Sequence, residues 1–145
     1  MGRTAETADL ADAIDRLTMW LRRQVPTAVS SSTITTLDAL AVHGPLRISD
    51  LAEREAISQP GMTGLVNRLE AAGQAERVAD PTDGRAALVR ITEAGRALLS
   101  QRHAARALVL ESELRELDDT DRAALAAAVP AIRRLITGNR ESVST

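Results

Sequence analysis

Apolar residues recur at helical spacing near both ends of the chain. Within Glu6–Gln24 they fall every three or four positions, with acidic residues and an arginine on the other faces. Thr92 is suited to cap a long helix over Glu93–Glu116, and a last helix is expected after the acidic restart at residues 118–121, with Pro130 inside it. The pattern therefore predicts one amphipathic helix at the start and two at the end. The apolar positions of the first are Leu10, Ile14, Leu17 and Leu21.

Two short helices are predicted in the first half of the central segment. A helix capped in the polar run Ser30–Thr33 is expected to end at His43-Gly44-Pro45, which carries the glycine and proline of a helix stop. The chain then reads as a short extended piece over residues 46–48. Ser49 is expected to cap a brief helix over residues 50–55.

A further helix follows almost at once. Ser58 is suited to cap it, and Pro60 lies in its first turn, where a missing amide hydrogen costs nothing. Gly73 is suited to the left-handed position just past its end. Two short helices joined by a tight turn form a helix-turn-helix pattern.

Residues 76–79 and 87–91 are rich in strand-forming positions and flank a segment of turn formers, Asp80–Arg85. This pattern predicts a β-hairpin directly after the helix-turn-helix. The expected fold class is mainly α with a small β-hairpin wing, in which a winged helix-turn-helix is flanked by terminal helices that form a dimerisation region.

The helix that starts after Ser58 has a core side and an opposite side that differ in chemistry. Met62, Leu65, Val66 and Leu69 share the core side at about 100° per residue. The opposite side and its flanks are small and nearly uncharged, which would let a nucleic-acid groove approach closely. They carry Gln59, Pro60, Gly61, Thr63, Gly64, Asn67, Arg68 and Ala71.

Several of these residue types match DNA chemistry. Asn67 and Gln59 match the donor and acceptor pair of adenine, Arg68 matches guanine, and Ser58 with the helix amides can receive a phosphate. At the hairpin tip, Arg85 can enter a narrow minor groove, and Asp83 is expected to orient it. The sequence thus predicts a double-stranded DNA interface.

The composition excludes several other classes of protein. The 145 residues contain no cysteine, so disulfides, thiolate zinc sites and iron–sulfur clusters are excluded, and the two histidines would need carboxylates or a second subunit to complete a metal site. With Trp20 as the single aromatic residue, base-stacking platforms for single strands are not expected. We find no catalytic constellation, cofactor motif, export signal or membrane span, which predicts a cytoplasmic protein that is not an enzyme.

Three segments together resemble the MarR (multiple antibiotic resistance regulator) family of bacterial transcription factors. They are Ser49–Arg54, Ser58–Glu70 and Asp80–Ala86, the last continuing through Ile91–Gly95. The resemblance implies that Ser58–Arg68 is the recognition helix and that Asp83 and Arg85 form the DNA contact of the wing.

The resemblance also implies an assembly and a mode of regulation. A homodimer joined by the first and the last two helices would place paired lobes on a pseudo-palindromic operator, with recognition helices about 34 Å apart. The single MarR-like domain would span residues 1–145, with a DNA-binding part at 30–95 and dimerisation helices at 1–29 and 96–145. Members commonly respond to small aromatic or anionic effectors, and a repressor released by such a ligand is the expected function.

Two departures and one alternative accompany this interpretation. Gly61 and Gly64 stand where many relatives carry longer polar side chains, which favours readout of DNA shape. Ala56 lies in the turn of the helix-turn-helix, where glycine would be easier if the backbone needs a positive φ. The alternative function is a winged-helix protein-interaction module without specific DNA binding.

Overall fold

The computed structural model describes residues 2–26 and 28–138, which form six helices and a two-stranded antiparallel sheet. This confirms the predicted fold class, mainly helical with a small wing. The elements are α1 (Gly2–Gln24), α2 (Ser31–His43), α3 (Ile48–Arg54), α4 (Gln59–Ala71), β1 (Ala75–Ala79), β2 (Ala87–Ile91), α5 (Glu93–Glu116) and α6 (Asp119–Gly138).

Three of the predicted caps are confirmed. The Ser30 and Ser58 side chains accept the backbone N–H groups of the third residues after them, each at 3.2 Å. The Thr92 hydroxyl accepts the N–H of Gly95 at 3.2 Å and donates to the carbonyl of Gly73 at 2.5 Å. Gly73 has a φ of +70°, as expected for a residue just past a helix end.

The predicted cap of α3 is wrong. The helix starts at Ile48 with Arg47 at the N-cap position and no side-chain cap bond, so Ser49 lies inside it. The extended piece is correspondingly short, because only Leu46 pairs with Val89, through bonds of 3.0 and 2.8 Å. The half-buried Ile48 then packs against the core, so the helix starts at Ile48, before the predicted cap.

The start of α1 is also earlier than predicted, at Gly2 instead of Glu6. Residues 3–6 include no large apolar side chain, so hydrophobic periodicity gives no signal there. Once the following turns are helical, each preceding residue joins by forming one more backbone bond, which needs no apolar contact.

The core lies where α2, α3, α4 and the sheet meet. The predicted core side of α4 is confirmed, since its four apolar residues are all buried. They pack with Leu37 and Leu40 of α2, Leu51 of α3, and Val89 and Ile91 of β2. This packing fixes one side of α4 against the domain and leaves the other side exposed.

The chain divides into two compact units, residues 1–106 and 107–145. The first contains the helix-turn-helix and the hairpin. In the second, Asp118 caps α6 through the N–H of Asp121 at 2.8 Å, and Arg122 donates to the carbonyl of Leu114 at 3.2 Å. None of the described helices combines the length and apolar character needed to cross a membrane.

Candidate nucleic-acid interface

The turn between α3 and α4 sets the position of the candidate recognition helix. Ala56 has a φ of +52°, so the turn does use the positive backbone angle at which glycine would be easier. The N–H of Ile57 returns to the carbonyl of Ala52 at 3.0 Å, which closes the turn. The chain then enters α4 at Ser58 with Pro60 in the first turn.

The start of α4 is a small, exposed surface. Ser58, Gln59, Pro60 and Gly61 are all exposed. The Thr63 hydroxyl donates to the carbonyl of Gln59 at 3.0 Å and keeps its oxygen free to accept. The sequence-predicted residues of this region are therefore brought together on one accessible face.

The two glycines of α4 occupy different surroundings. A Cβ at Gly61 would lie 3.0 Å from Ser58 Oγ and 3.1 Å from Ile57 Cγ2, which is tight. A Cβ at Gly64 would lie 3.7 Å from Arg68 Nη1, an ordinary contact. Packing at the cap thus accounts for Gly61, whereas nothing within the described fold requires a glycine at position 64.

Asn67 takes part in a cluster that sequence analysis did not predict. Arg77 of β1 donates from Nη2 to Asn67 Oδ1 at 2.9 Å. Glu70 accepts both the Arg77 backbone N–H, at 3.0 Å, and the guanidinium. The cluster ties the last turns of α4 to the wing, and it engages Glu70, the one carboxylate of the helix.

The wing tip is organised by its backbone. Asp83 Oδ1 accepts the N–H of Arg85 at 3.1 Å, and the Asp83 carbonyl accepts the N–H of Ala86 at 3.0 Å. Asp83 therefore contacts Arg85 through the backbone of the turn and not through the guanidinium, so any orienting role acts by fixing the turn. Among the described residues the Arg85 guanidinium has no polar partner, so its charge is available to a ligand.

The base of the wing is fixed by a buried carboxylate. Asp80, 6% exposed, accepts Nε and Nη2 of Arg47 at 3.1 and 2.6 Å and the N–H and hydroxyl of Thr82 at 2.9 and 2.7 Å. The hydrogen bonds from Thr82 and then from Arg47 hold the pKa of Asp80 well below its usual range. Since Arg47 is the N-cap residue of α3, this contact joins the wing to the helix-turn-helix.

The comparisons with known proteins agree with this architecture. Residues 29–86 match the MarR family. An HTH-type transcriptional regulator of Mycobacterium tuberculosis is 33% identical over 130 residues, which span 89% of this chain and 91% of that protein. The chain belongs to the MarR family. It is accordingly a transcriptional regulator with a DNA-binding winged helix-turn-helix, and this family is not one of enzymes.

Further relatives share the fold and parts of the sequence of this MarR protein. A crystal structure of a transcriptional regulator protein from Pseudomonas aeruginosa PA01 aligns with a TM-score of 0.79 and 31% identity over 92% of this chain and 95% of that one. The repressor NicR of Pseudomonas putida is 38% identical over 71 residues, 49% of this chain and 45% of NicR.

Sequence reasoning missed four residues that shape the candidate interface, namely Arg47, Glu70, Arg77 and Asp80. The Asp80-Pro81-Thr82 run does carry a signal, because an Asp two residues before an amide donor commonly closes a local turn. The sequence carries no local signal for the contacts of Arg77, because Arg77 lies on β1, ten positions after Asn67 and beyond the turn that follows α4.

The first unit of the MarR chain also contains a cleft of about 470 Å³ between α2 and α5. The pKa of Arg102, which lines it, is lowered first by partial burial and then by the charges of Arg106 and Arg22. Its walls are formed by Ile34, Asp38, Leu99, Ser100, Arg102, His103, Ala104 and Arg106.

Proposed function

We propose that this MarR protein binds a pseudo-palindromic operator in double-stranded DNA as a homodimer and represses transcription until a small ligand releases it. The observation that carries the proposal is the outward face of α4. That face is small, its carboxylate Glu70 is engaged by Arg77, and the exposed Arg68 lies on it. A surface without free negative charge suits approach to a phosphate backbone.

The proposed contacts divide by chemistry. Ser58 and the first amides of α4 bind a phosphate, while Gln59, Asn67 and Arg68 face base edges in the major groove. Arg85 enters the adjacent minor groove on a turn fixed by Asp83. The remaining proposed contacts allow close approach of the groove and are Pro60, Gly61, Thr63 and Gly64.

The proposed dimer is supported by the exposed apolar faces of α1 and α6. Helix α1 has no buried residue, yet Leu10, Ile14 and Leu17 lie on one stripe and are 46–54% exposed. On α6, Val129 and Ile132 are 43% and 48% exposed. Because large apolar stripes on monomers are unfavourable in water, a second copy of the chain is the proposed occupant.

In the proposed domain organisation, residues 30–95 bind DNA, and residues 1–29 and 96–145 form the dimer interface. Two recognition helices would then enter successive major grooves about 34 Å apart. Such a regulator works where the chromosome lies, so the proposed site of action is the cytoplasm.

The proposed effector is a small anionic or aromatic molecule, and the cleft between α2 and α5 is its proposed site. Arg102 is partly buried there beside Arg106, so an anion would relieve the repulsion between the two guanidinium groups. The name of the relative NicR, a transcriptional repressor, supports repression as the mode of action.

Fluorescence anisotropy tests the proposal. The purified protein is titrated onto the duplex upstream of its own gene and onto a scrambled duplex, at two salt concentrations. Tighter binding to the first duplex that weakens with salt is expected. Arg85→Ala should weaken DNA binding and leave the dimer intact. Arg90→Ala serves as the control and should change the DNA affinity little, because Arg90 is already paired with Glu76 across the hairpin.

Three results would contradict parts of the proposal. Equal, weak binding to both duplexes, followed by failure of a randomised duplex library to yield a preferred sequence, would favour a protein-interaction module. A monomer by sedimentation at micromolar concentration would remove the paired half-sites. Equal losses for Arg85→Ala and Arg90→Ala would exclude a specific contribution from the wing tip.

A further inference from the structure

The side-chain amide of Asn67 is held in one orientation. Its partner, the Arg77 guanidinium, lies 2.9 Å from it and carries only hydrogen-bond donors. The Asn67 atom that faces Arg77 must therefore be the carbonyl oxygen, since an amide nitrogen would place donor against donor. Rotation of the amide by 180° would break this bond and bring the two N–H groups together.

Arg77 is itself fixed before any DNA arrives. Glu70, one turn along α4 from Asn67, accepts both the backbone N–H and the guanidinium of Arg77. The guanidinium is thus anchored at two points to the helix whose side chain it orients. Preorganised polar groups lose less conformational entropy on binding than free ones do, so such an arrangement favours selective recognition.

The fixed amide presents its nitrogen to the ligand. Asn67 is exposed on the outward face of α4, and among the described residues Nδ2 has no partner. Oδ1 retains a second lone pair that could accept a bond from a base amine. The partly positive amine hydrogen would then lie close to the positively charged guanidinium, which is unfavourable. A base acceptor bound to Nδ2 is attracted by the same positive charge.

We propose that Asn67 is a specificity-determining residue that reads DNA as a hydrogen-bond donor, with Arg77 as its positioning residue. The proposal rests on the DNA binding proposed above. Guanine presents the acceptors O6 and N7 and thymine presents the acceptor O4 in the major groove, whereas adenine sets the N6 amine donor beside the acceptor N7. A fixed donor makes only one of the two bonds that adenine offers, so Asn67 should favour guanine or thymine over the adenine that a freely rotating asparagine prefers.

Selection from a library of randomised duplexes, followed by sequencing, tests this assignment. For the wild-type protein, one position in each half-site should favour guanine or thymine, and Asn67→Ala should remove that preference alone. Arg77→Ala frees the amide to pair with adenine, and the ratio of adenine to guanine there should rise about tenfold. Arg90→Ala removes the same charge from the same hairpin without touching Asn67 and should leave the ratio unchanged.

A double-mutant cycle separates positioning of Asn67 from a general effect on the helix. If Arg77 acts through Asn67, adding Arg77→Ala to Asn67→Ala should not change the base preference any further. Arg77→Lys serves as a second variant, because it keeps the charge but cannot hold Glu70 and Asn67 with one planar group. It should move the ratio in the same direction by a smaller factor, and circular dichroism checks that each variant is folded.

The outcomes distinguish this inference from the proposed function beneath it. A wild-type protein that enriches no sequence would overturn the proposed DNA readout, and the role of Asn67 with it. A clear wild-type motif with adenine at the Asn67-dependent position would overturn only the donor assignment. An unchanged ratio in folded Arg77→Ala or Arg77→Lys, or an equal change in Arg90→Ala, would overturn the role of Arg77.

Discussion

The substitution Gly64→Ala should raise stability and lower DNA affinity at the same time. Alanine in a helix interior is favoured over glycine by about 1 kcal/mol, because glycine loses more backbone freedom on folding. The added Cβ would meet Arg68 Nη1 at 3.7 Å, an ordinary contact with the end of a flexible side chain. No packing penalty opposes the gain, so the free energy of unfolding should rise by about 1 kcal/mol, or the Tm by about 3 °C.

The same methyl group would stand on the face proposed to approach DNA. If the groove floor lies against Gly64, the helix must retreat, and the loss of one base contact worth about 1–3 kcal/mol follows. The operator affinity should then fall by about tenfold or more. A gain in stability together with a loss of affinity is hard to produce by general damage to the fold.

Gly61→Ala provides the matched comparison on the same helix. Its Cβ would lie 3.0 Å from Ser58 Oγ and 3.1 Å from Ile57 Cγ2, so the gain in helix propensity should be offset by disturbance of the cap. Stability is measured by guanidinium denaturation followed by circular dichroism. All variants are compared at one protein concentration, since the stability of a dimer depends on it.

Two results would refute this reasoning at different levels. If Gly64→Ala is no more stable than the wild type, or Gly61→Ala gains as much, the local packing is not as described. If Gly64→Ala is more stable but its anisotropy titration on the operator superimposes on that of the wild type, α4 does not approach DNA closely at position 64.

Three other predictions concern the fold that supports the interface. Gly95→Ala should lose about 2 kcal/mol by denaturation, because its Cβ would overlap the Gln74 carbonyl oxygen, and a loss below about 0.5 kcal/mol would contradict this. Ala56→Gly should gain about 0.5–1 kcal/mol by relieving the φ of +52°, and a loss would show that the turn is unstrained. Because the pKa of Asp80 is lowered by folding, its contribution to stability is full above about pH 4 and lost as the pH falls below that value. The wild type should therefore lose stability more steeply than Asp80→Asn in that range, and parallel pH profiles would contradict the role of Arg47 and Thr82.

Local chemistry allowed the sequence to predict most of the elements. Ser58 and Thr92 are caps because a hydroxyl reaches an amide three residues ahead, which no distant contact needs to arrange. The buried side of α4 follows from helical spacing alone. The left-handed angle at Gly73 likewise belongs to a helix end and was predictable there.

Elsewhere, packing overrode the local signal. Ser49 is a good capping residue, yet α3 begins before it, because the pairing of Leu46 with Val89 and the packing of Ile48 fix where the chain turns. A cap preference is worth about 1 kcal/mol, whereas the half-buried Leu46 and Ile48 together contribute about as much as one fully buried apolar side chain, about 1.5–3 kcal/mol. Tertiary burial therefore decided this boundary.

The sequence by itself determined the winged helix-turn-helix, the face of α4 that is accessible and the charge at the wing tip. Only the tertiary structure decided that Arg77 would bond to Asn67 and that Arg47 would bond to Asp80. The members of these pairs lie ten and 33 positions apart, and their contacts depend on the angle between α4 and the wing and on the approach of α3 to the end of β1. Helix caps and apolar periods act over a few residues of one chain segment, whereas the orientation of a polar side chain at an interface depends on which segments pack together.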